Sequence, residues 1–266
     1  MEAGAVQVSE EAIFLVMRME PLREHAVGQR LGPLLLALPP WRELLTSIVP
    51  EPIAQLDTLM LTGASFSDGS SQAMVLVTGR SPESLDVALE LLGRRVPEGV
   101  VRGTGARVDG AFRVLQRRGQ VVQVTAASGA QEAPRGIPTA ERGEVVALRL
   151  KEPHRHAWWV PEKVLMSRLR IRTQGDGAEL WAEGDCATAE DARLAAEALR
   201  ARIRETNGLF VRLATRGVLN DVRIETLGSR LEGKLTANRA QLEATLALVA
   251  AHYGATLTFS DDAGVP

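Results

Sequence analysis

Two histidines, His154 and His156, are the ionisable residues whose spacing best suits metal chemistry. In an extended segment, residues i and i+2 point to the same side of the chain, so both imidazoles could bind one ion. Glu152 and Glu162 lie nearby in the sequence and could add oxygen ligands. Because no third ligand is defined, His154 and His156 are weak metal candidates. An exposed polar loop before Pro161 is the favoured interpretation, and we predict no metal and no cofactor.

Two other groups could in principle do chemistry. Gly103-Thr104-Gly105 resembles the opening of a phosphate-binding loop, but it lacks a third glycine, the lysine and a following helix, so it predicts a plain turn. Ser70 and Ser71 lie near Asp68 with no histidine close by in the sequence. No G-x-S-x-G, H-E-x-x-H or S-x-x-K string occurs. We therefore predict no catalytic residues.

The adjacent tryptophans Trp158 and Trp159 follow the two histidines directly. Exposed aromatic side chains often anchor interfaces, so Trp158, Trp159, His154 and His156 form a candidate interaction surface for a partner protein or a membrane surface. We expect one tryptophan of the pair to pack in the core and the other to cover a sheet edge. Trp41 lies among leucines and is expected in the core.

The sequence pattern of residues 166–207 predicts a strand, a turn, a second strand and a helix. The rest of the predicted fold is organised around this unit. Charged and apolar residues alternate on both sides of the turn at 174–177, which is the pattern of a half-buried hairpin. The predicted pairs are Arg172 with Glu179, Arg170 with Trp181, and Arg168 with Glu183. Because these arginines are paired within the hairpin, we predict that the protein does not bind nucleic acid.

A shorter copy of this unit spans residues 221–253, and residues 56–93 form a third hairpin followed by a helix. In the copy, a four-residue loop at 226–229 predicts three charge pairs across the hairpin. These are Glu225 with Arg230, Arg223 with Glu232, and Asp221 with Lys234.

Strand-like openers at residues 12–19 and 143–150 divide the chain into two similar halves. We predict an α+β fold with an N-terminal half at 1–126, a linker at 127–142 rich in Ala, Gly, Pro and Ser, and a C-terminal half at 143–266 with two hairpin–helix repeats. The hairpins imply largely antiparallel sheets with helices packed on one face. Whether the halves share one continuous sheet stays open at this point.

Composition narrows the classes of protein further. The 266 residues are 45% hydrophobic and 24% charged with a net charge of −2, which is a globular composition without bulk attraction to nucleic acid. Cys186 is the sole cysteine, so an internal disulfide and a cysteine-based metal cluster are excluded; we expect it to be a small buried residue. The sequence contains no apolar run of about 18 residues, so no transmembrane segment is predicted. Met1–Ser9 has no signal-peptide pattern, so the sequence does not assign the protein to a cellular compartment. The periplasm or cell envelope is favoured over the cytoplasm if the native N-terminus carries a signal or an anchor.

A strand pair followed by a helix of Ala, Leu and Arg recurs along the chain, together with the phrase Ala37-Leu38-Pro39-Pro40-Trp41. In this recurring pattern and in residues 37–41, the sequence resembles uncharacterised envelope proteins of myxobacteria-type Proteobacteria. The resemblance implies a secreted or lipid-anchored ectodomain without an assigned activity, and it carries over no functional residues.

These observations favour a non-enzymatic binding or scaffold module that contacts another protein, or itself, in the bacterial cell envelope. The alternative is a small-molecule binder or hydrolase with its site between the two halves. That alternative predicts a deep polar cleft near Ser65–Ser71 or His154–Trp159.

Overall fold

The computed structural model describes residues 12–37, 41–66, 72–95, 105–108, 111–126, 141–257 and 259. In these residues one antiparallel sheet contains eleven strands in the order β10-β11-β9-β8-β7-β1-β2-β3-β6-β5-β4. The strands are β1 (Ile13–Arg18), β2 (Leu56–Gly63), β3 (Gln72–Thr78), β4 (Gly105–Val108), β5 (Ala111–Arg118), β6 (Val121–Ala126), β7 (Glu144–Lys151), β8 (Val164–Gln174), β9 (Gly177–Cys186), β10 (Arg223–Leu227) and β11 (Arg230–Ala237). The predicted α+β class with antiparallel pairing is confirmed. Because β1 pairs with β7, the sheet runs continuously from one half into the other.

Eight α-helices accompany the sheet within the described ranges. They are α1 (Glu20–Arg23), α2 (Gly32–Leu36), α3 (Arg42–Ile48), α4 (Pro52–Gln55), α5 (Pro82–Arg95), α6 (Ala189–Thr206), α7 (Leu209–Ala214) and α8 (Arg239–His252). α6 begins where the Thr188 hydroxyl accepts a hydrogen bond from the Asp191 backbone N–H. α8 begins with a capping box between Asn238 and Gln241.

The main core lies between the N-terminal strands and helices α3 and α5. Leu59 and Leu76 face Leu45 and Leu85 within one buried cluster. Trp41 belongs to this cluster, as expected, and its Nε1 donates to the Gln72 side-chain oxygen at 2.6 Å. The buried indole thus keeps a hydrogen-bond partner, which avoids the cost of desolvating a bare N–H.

The C-terminal strands have a smaller core beneath α6. Ala192, Ala195 and Ala196 are buried against Leu231 of β11. Because alanine side chains are small, this buried stripe of α6 lets the helix approach the sheet closely.

The predicted register of the β8–β9 hairpin is confirmed in every pair. Arg172 lies opposite Glu179, Arg170 opposite Trp181 and Arg168 opposite Glu183. Gln174 and Gly177 pair as well, so only Gly175 and Asp176 form the loop, with Gly175 at φ +55°. A glycine at the first position of a two-residue loop is the arrangement that a tight hairpin favours.

The ladder of arginines on β8 is paired with carboxylates. Arg168 contacts Glu183 at 3.4 Å and Asp185 at 3.1 Å. Arg170 and Arg172 both pair with Glu141, which precedes β7, rather than with the hairpin's own acids. The pairing supports a solvated, self-neutralised sheet face, although two of the three arginines, Arg170 and Arg172, have partners other than the predicted ones.

The predicted register of the β10–β11 hairpin is wrong by two residues. Leu227 pairs with Arg230, so that the loop is Gly228-Ser229 with Gly228 at φ +58° rather than four residues long. A tight glycine turn fits the twist of the strands better than the longer loop, and it overrides the cross-strand charges. The resulting pairs are Glu225 with Glu232 and Arg223 with Lys234.

The charges of β11 are instead matched to β9. Lys234 pairs with Glu179, and its ammonium lies 4.3 Å from the centre of the Trp181 ring. Arg230 contacts Asp185 at 3.4 Å. These contacts join the two hairpins through ion pairs and a cation–π contact on one sheet face.

β10 forms one margin of the sheet. The Arg200 guanidinium of α6 donates to the Ile224 carbonyl at 2.6 Å, so a main-chain acceptor of this edge strand is covered by a side chain of the same molecule.

The predicted linker lies almost wholly outside the described residues, since 127–140 are not among them. The division into two similar halves by duplication therefore stays a prediction. In the described part of the chain, no helix has both the length and the apolar character needed to cross a membrane.

Candidate functional site

The two histidines do not lie in the extended segment that a shared metal ion would require. Pro153–Arg155 forms a turn of 3-10 helix that contains His154, and His156 follows at its end. With three residues per turn, side chains at i and i+2 point in different directions. The described residues contain no group of three or more His, Cys, Asp or Glu side chains placed to hold a metal ion.

His156 packs edge-on against Phe66 instead, with 6.0 Å between the ring centres. Desolvation by this partial burial, followed by the charges of Arg155 and His154, lowers the pKa of His156 below its ordinary value. The contact between His156 and Phe66 therefore joins the β7–β8 connection to the β2–β3 connection of the N-terminal half.

Most of the other residues that could do chemistry lie outside the described part of the chain. Gly103, Thr104, Asp68, Ser70 and Ser71 lie outside the described residues. Cys186 is a free, buried cysteine at the end of β9, as expected. Burial raises the pKa of its thiol, with smaller contributions from the carboxylates of Asp191 and Asp185. A thiol held protonated in this way is a poor nucleophile.

The tryptophan pair is exposed, and the expectation that one indole packs in the core is wrong. Trp158 is 81% exposed and Trp159 is 50% exposed. The turn is held by other groups: Val160 packs against the cluster beneath α6, and the Arg202 guanidinium donates to the Trp158 carbonyl at 2.6 Å. Because the backbone and Val160 fix the turn, the indoles are left facing solvent.

The short helix α7 was not predicted, and it presents a second exposed apolar face. Leu209, Phe210 and Leu213 are 74%, 77% and 70% exposed. Positions i, i+1 and i+4 lie on one side of a helix, so the three side chains project together. The apolar run Leu209-Phe210-Val211 after the helix stop at Asn207-Gly208 was the signal in the sequence that could have revealed it.

Both features lie at the same end of α6. Arg202 holds Trp158 beside the last turns of this helix, and α7 begins three residues after α6 ends. Large apolar side chains that stay this exposed on a folded protein commonly mark a binding surface. We use the name apolar surface for the set Trp158, Trp159, Leu209, Phe210 and Leu213.

The apolar surface has a strongly basic surrounding. Residues 200–216 contain one acid, Glu205, and the five arginines Arg200, Arg202, Arg204, Arg212 and Arg216. In the described part of the chain, none of these five arginines takes part in an ion pair. The β8 arginines, by contrast, are paired with acids. This surface therefore combines apolar side chains with unneutralised positive charge.

A polar cleft of about 1120 Å³ lies elsewhere, where the two halves of the sheet meet. Its walls come from the end of β1, from α1, from β2, and from the starts of β7 and the β8–β9 loop. Arg18 and Glu144 form a buried ion pair at 2.5 Å in this wall, and Arg23 contacts Asp57 at 2.8 Å. This cleft lies at the opposite ends of the strands from Ser65 and from His154–Trp159, near which the alternative interpretation expected one.

His25 closes one side of the cleft and is buried. Its Nδ1 accepts from the Gly28 backbone at 3.1 Å, and its Nε2 donates to the Gly177 carbonyl at 3.0 Å. A backbone N–H can only donate and a carbonyl can only accept, so the partners specify the neutral ring with its proton on Nε2. With both nitrogens engaged, His25 serves as a tie between the halves rather than as a free base.

Comparisons with known proteins bear on the fold alone. No protein-family model matches the chain, and no curated protein sequence is similar to it. Crystal form III of TP0453 has a similar fold with a TM-score of 0.51 at 10% identity, over 91% of this chain and 95% of that one. Crystal form I of TP0453 also gives a TM-score of 0.51 at 10% identity, over 94% of this chain and 99% of that one.

Proposed function

We propose that this protein is a non-enzymatic binding module that acts by protein–protein contact in the bacterial cell envelope. The apolar surface carries the proposal, because its five large side chains are at least half exposed. Aromatic residues are the commonest energetic anchors of protein interfaces, and Trp158, Trp159 and Phe210 are available for this role. The resemblance in sequence style to envelope proteins supports the compartment.

Within the described residues, two groups that could do chemistry, Cys186 and His25, are engaged in other roles. The Cys186 thiol is buried with a raised pKa, and His25 has both nitrogens occupied. Neither residue is poised for proton or acyl transfer.

Site-specific photo-crosslinking in native cells tests this function. Benzoylphenylalanine in place of Phe210 or Trp158 should give discrete protein adducts, whose masses distinguish a second copy of this chain from another protein. Val87 on α5 is the matched control, since it is an apolar helix residue that is 56% exposed but lies in the N-terminal half.

The expected result is a defined set of adducts from Phe210 and Trp158 that the Val87 position does not produce. If all three positions give the same weak background, the apolar surface is not a protein-binding site and the proposal fails.

A second candidate is a small-molecule binder that uses the polar cleft between the halves. The observation in its favour is the convergence of charged side chains from four separate segments. Glu20, Glu24 and Arg142 line the cleft and are exposed. Backbone amide shifts at 141–144 and 173–175 on addition of metabolite extract would support this candidate, and unchanged spectra would exclude it.

A further inference from the structure

The chemistry of the apolar surface indicates what kind of segment it binds. Resting on the proposed function, we propose that the partner supplies an acidic amphipathic segment, with large apolar side chains flanked by Asp or Glu. The apolar part would cover Phe210 and its neighbours, and the carboxylates would meet the surrounding arginines.

The first argument is the local charge. Residues 200–216 carry a net charge of +4 from five arginines and one glutamate, whereas the whole chain carries −2. The remaining residues therefore carry −6. This surplus of positive charge along one segment favours a negatively charged partner there.

The second argument is the availability of these arginines. Arg200 and Arg202 donate to main-chain carbonyls. A carbonyl carries no formal charge, so these contacts do not neutralise the two guanidinium groups. Arg204, Arg212 and Arg216 are exposed. A guanidinium holds a carboxylate through paired N–H donors, so exposed arginines beside an apolar face suit an acidic peptide.

The third argument is geometric. Arg212 lies three residues after Leu209 and one before Leu213, so it borders the exposed face of α7. A partner that buries Phe210 must pass beside Arg212. An acidic residue near its apolar anchor would gain an ion pair there, and a basic residue would be repelled.

An anionic lipid bilayer is the other negatively charged surface that could meet these arginines, since each arginine near such a surface contributes to its attraction. Because the proposed function is contact with a protein, we argue for the acidic peptide and treat binding to lipid as an outcome of the test.

Selection from a displayed library of random peptides tests the inference, with the full chain as bait and the Phe210→Ser/Arg212→Glu double variant for counter-selection. We expect enriched peptides that combine Asp or Glu with large apolar residues. Enrichment of neutral or basic peptides would overturn the acidic partner while the proposed function survives. An absence of enrichment over the double variant would count against both.

Single variants then separate charge from apolar contact, with an enriched, fluorescently labelled peptide as the probe. Arg212→Glu should weaken binding at least about tenfold and reduce its salt dependence. Leu209→Ser should weaken binding without changing the salt dependence. The matched controls Arg118→Glu and Val87→Ser, both exposed in the N-terminal half, should leave affinity unchanged.

Circular dichroism confirms that each variant is folded, which is expected because these side chains contribute little to the core. Co-sedimentation with phosphatidylcholine vesicles, with and without phosphatidylglycerol, provides the opposing arm. Vesicle binding that needs both Phe210 and Arg212 would overturn the inference in favour of a lipid surface.

Discussion

The buried ion pair between Arg18 and Glu144 joins the two halves of the sheet and gives a quantitative prediction. Their side chains are 11% and 5% exposed, with Nη1 and Oε1 2.5 Å apart. Replacing Glu144 by leucine removes the carboxylate that this buried guanidinium contacts at 2.5 Å. Removal of one partner of such a pair costs about 3–5 kcal/mol of unfolding free energy, because the remaining charge stays desolvated.

That loss corresponds to a decrease of roughly 150- to 5,000-fold in the ratio of folded to unfolded protein. Arg18→Met should be similarly destabilising, since it leaves the Glu144 carboxylate buried. The double variant Arg18→Met/Glu144→Leu should recover to within about 1 kcal/mol of the natural protein, because no uncompensated charge remains. Urea denaturation followed by circular dichroism and tryptophan fluorescence measures all three.

The exposed pair between Arg193 and Glu190 on α6 is the control, and Arg193→Met should leave the unfolding midpoint unchanged within error. The reasoning is refuted if Glu144→Leu costs less than about 1 kcal/mol, or if the two single effects simply add in the double variant. Either result would mean that the pair is hydrated and does not hold the halves together.

Three further outcomes follow from contacts described above. Gly177→Ala should cost about 1–3 kcal/mol, because a Cβ there would lie 2.2 Å from the Ala237 carbonyl oxygen, whereas Gly79→Ala meets no atom within 4 Å; urea denaturation compares the two. Cys186 should react with a disulfide reagent at pH 8 only as fast as the protein unfolds, because burial both shields the thiol and raises its pKa, and prompt labelling of native protein would contradict this. Because the pKa of His156 is lowered in the folded protein, the unfolded chain binds more protons than the folded one between the folded pKa and the ordinary value of 6.5. The free energy of unfolding should therefore decrease as the pH drops through this window. His156→Gln should reduce that decrease in a series of unfolding curves recorded at different pH values.

Local pattern was sufficient for elements whose two faces differ strongly. The β8–β9 register was predictable because a shift by one residue would have placed Leu169 and Ile171 on the polar face. In β10–β11 a shift by two residues leaves each face unchanged, so the pattern could not choose between registers. The turn at Gly228 decided the register there.

The candidate surfaces were harder to predict, because they depend on which neighbouring residue fills the core. Val160 occupies the position that one tryptophan was expected to take, and the indoles of Trp158 and Trp159 are therefore exposed. The residues that line the polar cleft could not be predicted for another reason. Its walls come from segments more than a hundred residues apart, such as Arg18 and Glu144.

The contact between Arg200 and the Ile224 carbonyl has a consequence for how molecules of this protein can meet. An incoming strand from another copy would need that carbonyl to extend the ladder past β10, and it would first have to displace a guanidinium already bonded there. Polymerisation by strand addition is thus resisted at this margin of the sheet.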